Sequence, residues 1–186
     1  MSDNLDNLLS QHRSSVIKKW FDRIIETYAP ETARLLKKES NQFANPVGHT
    51  VLHGIQAIYD DFLGGRDPEK LASHLDRIIR IRAVQEFSPA QAVSFVFFLK
   101  RIVRDELQSD IHENRISASE LEAFDARVDE LAMLAFNIYT QCRERLFEVR
   151  LNEFKNRTHR LLQRANLLAE LPDWEPKCQG IQQLET

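Results

Sequence analysis

Arg80-Ile-Arg-Ala-Val-Gln-Glu-Phe-Ser-Pro-Ala-Gln-Ala-Val-Ser-Phe-Val-Phe-Phe-Leu-Lys-Arg-Ile-Val-Arg104 is the stretch on which the fold turns. Ser88-Pro89 with Gln91 reads as an N-cap, a proline at the first helical position and a capping-box partner. The residues before it carry helical periodicity, so the stretch predicts two helices joined by one tight corner at Phe87. Ala92, Phe95, Val96, Leu99 and Val103 line one stripe of the second helix, and Val93, Phe97, Phe98 and Ile102 widen it. A helix this apolar is expected to be central.

The rest of the chain has the same character. Leu5, Leu8, Leu9, Val16, Ile17, Trp20, Phe21, Ile24 and Ile25 predict one helix from about Asn4 to Tyr28, stopped by Pro30. A short helix is expected over Glu31 to Lys38, a loop over Glu39 to Gly48, and a helix from His49 to Phe62 closed by a left-handed cap at Gly64-Gly65. Asp67-Pro68 opens the helix that leads into the corner. Ser117-Ala-Ser-Glu120 is a second capping box, and no Gly or Pro follows it until Pro172. That predicts a helix of on the order of 50 residues reaching about Glu170, or about 75 Å.

Five glycines and six prolines in 186 residues, with no strand-period alternation and no Asn-Gly or Asp-Gly signal, make the chain all-α. A 42% apolar content is enough for one domain core. From Phe147 the apolar residues Phe147, Leu151, Phe154, Thr158, Leu161, Ala165 and Leu168 step by 4 and 3 alternately, the period of a coiled-coil seam. This predicts a body over 1–146, a helical extension over 147–170 that pairs with a second copy or folds back on the body, and a tail over 171–186.

The formal net charge of -3 gives no reason to expect a nucleic-acid partner. Asp105 to Glu130 holds nine acids and two bases, whereas Arg143 to Arg164 holds seven bases and three acids. Those sections are either solvated faces or surfaces for a regulatory partner or a second copy. Arg77, Arg80, Arg82, Lys100, Arg101 and Arg104 surround the corner and could form an anion- or partner-binding patch. No run approaches the roughly 20 apolar residues of a membrane span, and the amino terminus has no signal-peptide pattern, so a cytoplasmic location is expected.

No catalytic constellation appears, and an enzyme is not expected. His49 and His53 have ligand spacing but lack a glutamate in the HExxH position and an evident third ligand. His74 and His159 are isolated, and Cys142 and Cys178 lie in no metal or disulfide pattern. No metal and no cofactor are expected.

Ile81-Arg-Ala-Val-Gln-Glu-Phe-Ser-Pro-Ala-Gln-Ala-Val-Ser-Phe95, followed by Leu99-Lys100, resembles the N-terminal domain of RsbR/RsbRD-type proteins, the stressosome co-antagonists. Trp20 with Ile24 and Ile25, and the helix end Asp61-Phe-Leu-Gly-Gly65, add to the resemblance, which spans roughly Asn4 to Leu146. It implies a globin-like bundle that binds no haem and acts as a homodimeric sensor or scaffold module. Haem-containing globin sensors look similar at this corner. Aligning their proline with Pro89 brings their histidine position near Arg82, and an arginine is no neutral axial ligand. A haem- or small-ligand-binding gas or redox sensor is the alternative. Full-length relatives usually continue into a sulfate-transporter/anti-sigma-antagonist domain, and the expectation is that this output domain is missing here.

Overall fold

The computed structural model describes residues 3–38, 43–64 and 67–165. Among them are eight helices and no strand: α1 (Asp3–Gln11), α2 (Arg13–Ile25), α3 (Pro30–Lys38), α4 (Pro46–Gly64), α5 (Pro68–Val84), α6 (Pro89–Glu106), α7 (Gln108–His112) and α8 (Ala118–Arg164). The protein is all-α, with a long C-terminal helix. No described helix is long and apolar enough to cross a membrane. The chain divides into two compact units, residues 1–146 and 147–186.

In the first unit α4 packs along α5, and α2 packs against α4 and α6. Gly54 permits the α4–α5 approach: a Cβ there would meet Ile78 Cγ1 and Cδ1 at 2.9 Å. The core is one cluster with Trp20, Ile24, Ile55, Tyr59, Leu75, Ile78, Phe95 and Phe124 at its centre. Trp20 is fully buried, lies 6.2 Å from the Phe95 ring, and donates its indole N–H to the Phe95 carbonyl at 2.7 Å. One side chain thus supplies apolar area and a satisfied polar group at the α2–α6 crossing. The buried residues of α8 run from Phe124 to Cys142.

The three predicted N-caps form as read. Asp67 accepts from the Glu69 and Lys70 amides. Ser88 and Gln91 close a complete capping box, and Ser117 and Glu120 exchange the corresponding bonds.

Several boundaries differ from expectation, and the first helical stretch ends at Ile25 rather than Tyr28. The first predicted helix is two helices, bent at His12 (φ -89°, ψ 7°). Helical bonding still crosses the bend, from His12 N to Leu8 O and from Val16 N to His12 O. Its cause is tertiary: His12 Nδ1 meets Glu106 at 3.1 Å while Arg13 forks onto Asp60 at 2.6 and 2.7 Å. α4 begins at Pro46 rather than His49, because Asn45 caps it: its side-chain oxygen accepts from the Gly48 amide and its backbone oxygen from the His49 amide. Gly64 is the last helical residue of α4, and Gly65 lies outside the described residues.

α7 was not expected. Its end is a left-handed Asn114 (φ 54°) with the two bonds of a Schellman closure, Asn114 N to Ile111 O and Arg115 N to Asp110 O.

Glu106, the last residue of α6, is 11% exposed and sits between Lys19 Nζ (2.5 Å) and His12 Nδ1. Burial alone would raise its carboxyl, but hydrogen bonds from Lys19, Ser15 and His12 outweigh that and bring it down to about 2. A carboxyl that is lower in the folded state than in the unfolded chain stabilises the fold fully above its ordinary value of 4.5. That contribution is lost as pH falls from there to about 2. Glu106→Gln is therefore expected to cost about 1–2 kcal/mol at pH 7, after discounting for solvent screening. Urea unfolding of both proteins should show the gap narrowing toward pH 3. A gap that is constant with pH would mean that the carboxylate charge is not what matters.

Candidate functional site

α5 carries Leu75, Ile78, Ile79 and Arg82 on its buried stripe. Arg82 falls seven residues after Leu75, where the helical period returns to the core side. Its guanidinium is consequently inside the protein, at 0% exposure. Three aromatic rings surround its Cζ: Phe87 at 4.5 Å, Tyr28 at 5.6 Å and Phe95 at 5.6 Å. Tyr28 and Phe87 themselves meet edge to face at 5.2 Å. Nη2 donates to Thr27 Oγ1 at 2.7 Å, and the Thr27 hydroxyl in turn donates a hydrogen bond to the Ile24 carbonyl at 2.6 Å.

Among the described residues no carboxylate pairs with this cation. Nε and Nη1 of Arg82 have no hydrogen-bond partner among the described residues, and neither has the buried Tyr28 hydroxyl. Desolvation pulls the Arg82 guanidinium below its ordinary value, opposed by Tyr28. Burial pushes the Tyr28 phenol up, opposed by Arg82. The ring faces offer partial compensation, about 0.5–2 kcal/mol for a cation–π contact. An isolated buried charge ordinarily costs several kcal/mol.

The corner that follows is rigidly closed. Phe87 N donates to Arg82 O and Glu86 N to Ala83 O, a Schellman closure with Glu86 in the left-handed region (φ 62°). α8 reaches the same corner: Tyr139 Oη donates to the Phe87 carbonyl at 2.6 Å, and Arg143 Nη1 donates to the Ala83 carbonyl at 3.3 Å. Any change in Phe87 is thereby one hydrogen bond from α8. An open cleft of about 360 Å³ lies beside the rings, and its lining includes Thr27, Tyr28, Thr32, Glu86, Phe87 and Gln91.

The six basic residues read around the corner do not share one open face. Arg82 is internal. Arg80 forks back onto Asp76 at 3.0 and 3.2 Å, and Arg101 pairs along its own helix with Asp105 at 3.7 Å. Lys100 and Arg104 turn toward α8, to Asp129 at 2.7 Å and Asp125 at 2.5–2.9 Å. Arg77 is exposed. Helical spacing separates them: positions 77, 80 and 82 of α5 point in three directions. The same pairs show where part of the acidic section goes, because α6 supplies its counter-charges.

The described residues hold no group of three or more potential metal ligands. His49 and His53 stack on one another with ring centroids 4.1 Å apart. His74 meets Asp61 at 3.1 Å, and His159 meets Gln163 at 3.0 Å. Cys142 is a buried free thiol, and Cys178 lies outside the described residues.

In the second unit the heptad residues are uncovered. Phe147 is 66% exposed, Phe154 67% and Leu161 59%; Leu151 and Ala165 are exposed and Thr158 half-buried. Leu168 lies outside the described residues. Sequence reasoning missed the inward direction of Arg82, although the 75–78–79–82 spacing carried the signal.

A family model described as the RsbT co-antagonist protein rsbRD N-terminal domain matches residues 14–153. The match takes in Trp20, the whole corner and the first two residues of the heptad row. An uncharacterized protein of Archaeoglobus fulgidus is 25% identical over 142 residues, covering 76% of this chain and 83% of that protein. No solved structure matches.

Proposed function

Because the chain belongs to the RsbT co-antagonist protein rsbRD N-terminal domain family, we propose that it is a non-enzymatic signal-input or scaffold module acting as a homodimer through protein–protein contacts. Residues 1–146 are the globin-like sensor and 147–170 the extension that pairs with its copy; 166–170 and the expected tail 171–186 lie outside the described residues. The observation that carries this reading is the exposed row Phe147, Leu151, Phe154, Leu161 at coiled-coil spacing. Large apolar side chains in water are favourably buried at about 25 cal/mol per Å². A second copy offers the same row at the same spacing.

The input end is the α5–α6 corner. A change of packing at Phe87 would pass to Tyr139 and Arg143 of α8 and leave as a shift of the paired helices. Physical contact supports this relay; coupling itself is what a measurement must show. The basic section Arg143 to Arg164 flanks the apolar row and suits an acidic regulatory partner.

Leu151→Asp with Leu161→Asp is expected to convert a dimer into a monomer, read as a halved mass in light scattering. A dimer of unchanged mass would sink the seam.

A further inference from the structure

We propose that Arg82 and Tyr28 form the binding site of a small monocarboxylate, held at the α5–α6 corner. The inference goes beyond the signalling reading, since binding at Arg82 needs no second copy.

The argument begins with unmatched donors. Nε and Nη1 of Arg82 carry three N–H groups between them, and Tyr28 adds one O–H. All are buried, and none meets an acceptor among the described residues. Buried polar groups in native proteins are nearly always satisfied, so four donors left over in one place call for an acceptor from outside the chain. The charge says which kind. One guanidinium is present, with no carboxylate pairing with it among the described residues, so a single negative charge balances the site. A dianion would leave a net charge among the rings of Tyr28, Phe87 and Phe95. Nε and Nη1 open on different edges of the guanidinium, so a planar carboxylate forks onto one of them together with the Nη2 N–H that Thr27 leaves free, a two-oxygen match that a spherical halide cannot make.

The surroundings fit the remainder of such a molecule. Arg82 does not itself line the open cleft of about 360 Å³, so the body of such a molecule would lie in that cleft with its carboxylate turned inward between the rings. Tyr28 and Phe87 line both the cage and the open cleft, so those two side chains are the partition through which a carboxylate enters. Thr27, already bonded to Nη2, fixes the plane of the guanidinium.

The test is titration calorimetry and thermal unfolding of the full chain with sodium acetate and sodium benzoate, against sodium chloride and sodium phosphate at matched ionic strength. Saturable heat and a raised melting temperature are expected with the carboxylates alone. Tyr28→Phe keeps the ring and should weaken carboxylate binding about tenfold, the loss of one hydrogen bond to a charged group. Arg82→Met should abolish it. The proposal is overturned by no response of the wild-type protein to either carboxylate, or by an equal response to chloride or phosphate. Undiminished binding by Arg82→Met also overturns it. Should Arg82→Met not fold, undiminished binding by Tyr28→Phe does the same. Light scattering on the same samples reads the dimer separately, so failure of this site and failure of the seam are distinct results.

Discussion

Arg82→Met is expected to melt several degrees above the wild-type protein. The substitution removes a buried guanidinium that has one hydrogen bond, to Thr27, and two nitrogens without an acceptor among the described residues. Replacing buried charge by an apolar side chain of similar volume often gains about 1–4 kcal/mol. Methionine suits the cage, because a flexible thioether packs well on aromatic edges. Against this stands the loss of cation–π attraction to three rings at 4.5–5.6 Å. The net expectation is a gain of about 1–3 kcal/mol, and a protein of this size moves about 2–4 °C per kcal/mol. Arg82→Lys should go the other way, since a compact, strongly hydrated ammonium is worse placed among rings. Thermal and urea unfolding at pH 7 decide it. A Met variant less stable than wild type by 1 kcal/mol or more would show that the cation serves the fold itself.

Trp20→Ala is expected to have the largest destabilising effect of any single change considered, about 3–5 kcal/mol. Three losses coincide at one position. The indole is fully buried at the α2–α6 crossing, it stacks on Phe95, and its N–H is satisfied by the Phe95 carbonyl. The cavity left behind is walled by helices on both sides, so collapse can only be partial. Trp20→Phe should lose less, since it retains a ring and removes the donor. Denaturant unfolding of the two variants separates volume from hydrogen bonding. A loss below about 1 kcal/mol for Trp20→Ala would contradict the central place given to this crossing.

Much of this fold is legible in the sequence wherever the deciding interaction is local. Ser88 with Gln91, Asp67 with Glu69 and Lys70, and Ser117 with Glu120 cap their helices through residues two or three apart, and each forms as read. The bend at His12 was not legible, because nothing in Gln11-His12-Arg13 breaks a helix. Its cause sits 94 residues away at Glu106. The early start of α4 depends on Asn45, whose side-chain NH2 also donates to the Leu36 carbonyl at 2.9 Å, a tertiary duty invisible in the local pattern. α7 is five residues long, too short for periodicity to register.

The candidate site divides in the same manner. The corner and its caps were readable, and so was the heptad row. The direction of Arg82 was obscured by its charge, which suggested a surface place. The apolar stripe of α5 nevertheless runs through it. Lys100 and Arg104 are turned inward by Asp129 and Asp125, partners that only the fold brings near.

Glu86 holds a backbone conformation (φ 62°) that glycine adopts freely and other residues occupy only in a narrow well. Mechanically, a glycine there would make the turn between α5 and α6 a loose pivot with many accessible angles. A glutamate makes it a stiff elbow with one angle. A ligand reaching Arg82 would therefore have to displace the rings of Tyr28 and Phe87 rather than pivot the two helices about their crossing.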